Sequence, residues 1–108
     1  MAKTLTFEYD GKDWTLEFTR ASVVKMEQDG FKVSDMETYP LSTLPEFFAG
    51  AFLAHHPSVS RKRIDAIYEA IADKEGLMAC LAEMYVEPIE ALMGEPDEEG
   101  KVVWAKNW

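Results

Sequence analysis

The sequence predicts an α+β fold, an N-terminal β-hairpin followed by a mainly helical body of about four helices. Three observations carry this prediction. Two short runs near the start alternate apolar and polar residues on either side of an Asp-Gly pair. Beyond residue 19 the apolar residues recur three and four apart, the spacing of an α-helix. Serine, threonine, glycine and proline stand where those helices need starts and stops. One domain is expected over 1–94, with the hairpin at 3–18 and the helical body at 19–94. Residues 95–108 read as an acidic linker and a tryptophan-containing tail.

In the hairpin, Leu5, Phe7 and Tyr9 alternate with Thr4, Thr6 and Glu8. Asp10-Gly11 suits the positive φ angles of a two-residue type I′ turn. Trp14, Leu16 and Phe18 then alternate with Asp13, Thr15 and Glu17. A two-residue loop pairs Tyr9 with Lys12, Phe7 with Trp14 and Leu5 with Leu16. That register puts the apolar residues on one face. A two-stranded sheet is marginal alone, so this face must pack on helices or on another subunit.

Thr19 is the expected cap of a first helix that stops at Gly30, with Val23 and Met26 inward. Residues 31 to 40 read as a connector. Ser42 is the expected cap of the second helix, with Pro45 in its first turn. Leu44, Phe47, Phe48, Ala51, Phe52 and His55 follow the helical spacing closely, and His56-Pro57 ends the element. Ser58 or Ser60 caps a third helix carrying Ile64, Ile67, Tyr68 and Ile71. A break is expected at 73–76, then a fourth helix with Leu77, Leu81, Met84 and Tyr85. Pro88 should kink or end it, while Ile89, Leu92 and Met93 extend the apolar pattern to Gly94.

The formal net charge is −9, which argues against nucleic acid as the partner, since phosphate binding needs a basic face. The single cysteine, Cys80, excludes an internal disulfide framework and reads as a buried structural thiol. The chain shows no apolar run long enough to span a bilayer and no signal-peptide pattern, so a cytoplasmic location is expected.

No phosphate-loop, dinucleotide, nucleophile-elbow or zinc-protease signature occurs, and the expectation is a protein that is not an enzyme and holds no metal or cofactor. His55-His56 point about 100° apart on a helix of 3.6 residues per turn, which converges poorly on a metal. Glu83, Glu87 and Glu90 read as a solvated face. Arg61-Lys62-Arg63 is the dense basic cluster; it pairs either with the chain's own acids or with an acidic patch on a neighbouring subunit. The helix from Leu44 to His55 has an apolar arc wider than one core face needs, so Phe48 and Phe52 are candidates for an exposed binding patch. Trp104 and Trp108, four apart in the tail, either anchor a partner or fold back on their own domain. The expected partner-binding residues are therefore Leu44, Phe47, Phe48, Phe52, His55, Arg61, Arg63, Trp104 and Trp108.

The succession Leu5-Thr6-Phe7-Glu8-Tyr9, Trp14-Thr15-Leu16-Glu17-Phe18, Thr19-Arg20 and a short helix to Gly30 resembles the small tail assembly chaperones of long-tailed bacteriophages and prophages. The Leu44 to His56 segment and the Ile64 to Ile71 helix are similar to that family too, so the resemblance covers roughly residues 3 to 93. It implies a non-catalytic protein without metal or cofactor. Such proteins keep the apolar helices of the tape measure protein soluble while the tail tube assembles. It also implies a homo-oligomer in the bacterial host cytoplasm, with the tail tube protein as a further partner. The alternative from another class is a small acidic regulatory or inhibitory protein that binds a host or cellular target. A third reading is a small enzyme using His55 with a carboxylate.

Overall fold

The computed structural model describes residues 3–94 and 99–108. The acidic linker expected from residue 95 falls largely at 95–98, outside the described residues.

Asp10 and Gly11 both take positive φ, 53° and 73°, which closes the two-residue turn between β1 (Leu5–Tyr9) and β2 (Lys12–Leu16). The antiparallel register pairs Leu5 with Leu16, Phe7 with Trp14 and Tyr9 with Lys12, as the alternation requires. Trp14 and Leu16 are buried while Leu5, Phe7 and Tyr9 are half-buried. The hairpin is therefore covered more deeply along β2 than along β1.

The five helices are α1 (Arg20–Gln28), α2 (Asp35–Thr38), α3 (Pro40–Gly50), α4 (Arg61–Ala70) and α5 (Lys74–Met93). α1 starts on a reciprocal cap, since Thr19 accepts from the Ser22 amide and Ser22 Oγ accepts from the Thr19 amide. It ends at Asp29, with Gly30 at φ 97°. Ser60 caps α4 by accepting from the Arg63 amide. These starts and stops match the sequence signals.

Four expectations need correction. The connector holds one helical turn, α2. α3 begins at Pro40 rather than at Ser42, because a proline at the first helical position has a preset φ and no amide to satisfy. Pro45 thus lies inside α3, and the Leu41 carbonyl it leaves unbonded sits on a residue 95% exposed, where water can reach it. The regular helix also stops at Gly50; the chain then tightens into successive turns in which Ala51, Phe52 and Leu53 donate to Phe48, Ala49 and Gly50. The break between the last two helices falls at 71–73. Asp73, itself at φ 51°, caps α5 by accepting from the Gly76 amide. α5 then runs on through Pro88 to Met93.

The core is aromatic. Phe47 stacks on Phe18 at 5.1 Å and on Phe31 at 5.9 Å, with Tyr85 edge-on to all three. Phe52 bridges Trp14 and Phe48, and Phe48 also meets Tyr68. Edge-to-face and offset contacts of this kind add to the area term. α1 crosses α3 closely at Gly50, where a Cβ would meet the Met26 side chain.

Candidate functional site

The sequence-predicted aromatic patch is not a surface. Phe47 and Phe48 are 1% exposed and Phe52 is 0% exposed, with only Leu44 half-buried. The arc is wide because it is covered on several sides: Phe18, Phe31 and Tyr85 meet Phe47, Tyr68 of α4 meets Phe48, and Trp14 of the hairpin meets Phe52 in the turns after α3. Phe48 and Phe52 therefore belong to the core and cannot form an exposed binding patch in the folded chain.

The basic cluster turns inward electrostatically. Arg61 donates to Glu46 at 2.7 Å and to Asp65 at 3.0 Å; the Glu46 hydrogen bond leads in raising its pKa. Arg63 lies 3.6 Å from Asp10 and over the Trp14 ring. Both arginines serve the chain's own acids, tying α4 to α3 and to the hairpin turn.

The two histidines diverge, as adjacency on one segment dictates. His55 Nε2 sits 2.7 Å from Glu17 Oε1. His56 Nε2 accepts from the Thr15 amide at 3.1 Å, and its ring packs 4.8 Å from Trp14. Burial, with smaller contributions from Lys12 and His55, pushes the His56 pKa below the usual imidazole value. Among the described residues no group of three or more His, Cys, Asp or Glu is placed to hold a metal ion.

Among the described residues accessible apolar surface lies elsewhere: Tyr39 and Leu41 at the start of α3 are 61% and 95% exposed, and three further places bear on binding. The first is a ridge along the end of α5. Val86, Ile89, Leu92 and Met93 are 42–81% exposed. At 100° per residue Val86, Ile89 and Met93 turn away from the buried face, whereas Leu92 continues the line of Leu81 and Tyr85 and is exposed where the helix runs past the core. Glu83 and Glu90 flank this ridge in solvent. The apolar count in α5 was the signal for it: beyond Leu77, Leu81, Met84 and Tyr85, which are buried, the helix carries four further apolar residues, more than the core covers.

The second is a groove of about 520 Å³ between β1 and the α4–α5 junction. Leu5, Phe7 and Tyr9 form one wall, Ile67, Ile71 and Leu77 the other, with Glu8, Asp73 and Cys80 also lining it. Cys80 is exposed here, correcting the buried thiol expected from the apolar pattern; it lies on the flank of α5 beside Leu81, not under it. The third is the tail, where Trp104 is 80% and Trp108 92% exposed. Residues 101–108 form no helix, so the two tryptophans do not share a helical turn, and neither docks on the body.

A family model described as a domain of unknown function, DUF5055, matches residues 1–108. The chain belongs to the DUF5055 family. No curated protein and no solved structure matches it. Among the described residues no helix is long and apolar enough to cross a membrane.

Proposed function

We propose that this DUF5055 chain is a non-catalytic tail assembly chaperone of long-tailed bacteriophages or prophages, which binds apolar helical stretches of the tape measure protein. The observation that carries the reading is the α5 ridge. Val86, Ile89, Leu92 and Met93 recur at helical spacing and stand exposed, the pattern that accepts an amphipathic helix laid against it. The acids beside the ridge and the net charge of −9 keep such a surface soluble and favour a client with basic residues beside its apolar stripe. On this reading the protein works in the bacterial host cytoplasm, alongside the tail tube protein.

The test is capture of tape measure segments by the wild type and by a variant carrying Ile89→Ser and Leu92→Ser. Both positions are exposed, so the variant should keep its fold while capture falls at least about tenfold, the loss expected when two apolar anchors of an interface are removed. A wild type that retains no segment sinks the chaperone reading. Salt-sensitive binding to one folded target would then favour the acidic inhibitor.

A further inference from the structure

The hairpin has two edges, and the fold treats them differently. In a hairpin closed by a two-residue loop, residues of the non-hydrogen-bonded pairs aim their amides and carbonyls outward. On β2 these include Thr15, followed beyond the strand by Glu17. The Thr15 amide donates to His56 Nε2, and the Glu17 amide donates to the Ala51 carbonyl at 3.0 Å. The segment after α3 therefore closes that edge. On β1 the matching residues are Thr6 and Glu8, and among the described residues nothing pairs with their outward backbone groups. The apolar groove runs along β1, with Leu5, Phe7, Glu8 and Tyr9 on that side of it. An open strand edge lined by an apolar trough fits an extended apolar peptide.

The chain itself carries such a segment. Val102, Val103 and Trp104 are strand-favouring residues, 80–84% exposed. The groove's charged lining residues, Glu8 and Asp73, are acidic, whereas the tail run is bracketed by Lys101 and Lys106. The charges are complementary. β1 spans five residues, about 17 Å at the usual rise, long enough to pair all of Val102–Trp104. The tail is not packed on its own body, since Trp104 and Trp108 are 80% and 92% exposed, and the molecule as a whole is extended, with a radius of gyration of 16.5 Å against about 13 Å for a compact chain of this length. The largest extent of the molecule is 56 Å.

We propose that the Val102–Trp104 segment of a second copy adds to the open edge of β1 as an extra strand in this groove, so that copies of the chain associate by exchanging tails. The proposal does not depend on the identity of any client.

Cys80 lines the groove and is the single cysteine of the chain, which provides the test. Cysteines are placed one at a time at 102, 103 and 104 in the full chain. They are mildly oxidised, and disulfide-linked dimers are resolved on non-reducing gels and mapped by mass spectrometry. A strand alternates its side chains, so 102 and 104 should cross-link alike and differ from 103 by about tenfold or more. Cys80→Ser should abolish the linkage, and Glu8→Pro, which removes an outward amide from an edge strand that tolerates proline, should weaken it. Sedimentation should show wild-type dimers or larger species, and Trp104→Asp should shift them to monomer. Linkage no stronger than that of a Ser58→Cys control overturns the proposal, as does a strictly monomeric wild type. A disulfide formed within one chain overturns the choice of a second copy as the occupant.

Discussion

His56 shows how one side chain ties the hairpin to the helical body. Its Nε2 can accept the Thr15 amide only while unprotonated. The depressed pKa means that the folded chain resists a proton which the unfolded chain takes up near the ordinary value of about 6.5. This contribution is therefore fully present above that pH and is lost as the pH falls from there through the lowered pKa of the folded chain. Chemical denaturation at neutral pH and near pH 5 should show the decline, and His56→Gln, which keeps an acceptor that does not titrate there, should flatten it. Trp14 is the larger anchor. It is 1% exposed and meets Phe52 and His56, so Trp14→Ala should cost about 3–5 kcal/mol of folding free energy. A loss below about 1 kcal/mol in a denaturant titration would contradict the assignment of that face.

Among the elements, the hairpin was the most legible in the sequence. Its turn residues are local and its alternation has a period of two, so Asp10-Gly11 and the register follow from neighbours in the chain. Gly11 has open space around it and φ of +73°, so Gly11→Ala should cost about 1–2 kcal/mol through backbone conformation alone. Thermal unfolding would measure this, and an unchanged midpoint would remove the left-handed requirement. The caps at Thr19 and Ser60 were legible for the same local reason. The width of the apolar arc around α3 could be counted, but what covers it could not. Trp14 and Tyr68 reach it from elements distant in sequence, which turned an expected binding patch into core. The reverse happened on α5, where a surplus of apolar residues produced the ridge. The Ile89→Ser, Leu92→Ser variant belongs to this scale: with both positions 48–57% exposed, its unfolding midpoint should move little while client capture falls. A large drop in stability would mean that the ridge is packed in the free protein.

At the scale of the whole molecule, burial is graded from one end of α5 to the other. Leu77, Leu81, Met84 and Tyr85 face the aromatic core, whereas the residues after Pro88 are mainly exposed. Pro88 has no amide to give to the Met84 carbonyl, so the hydrogen-bond ladder of the helix is interrupted where its packing thins. The two halves of this one helix should therefore open separately. In native-state deuterium labelling, the amides of residues 77–85 should exchange only with global unfolding, whereas those of 89–93 should exchange orders of magnitude faster through a local fraying that leaves the core closed. A client seated on the ridge would slow that second set alone, making the amides beyond Pro88 a residue-resolved gauge of occupancy.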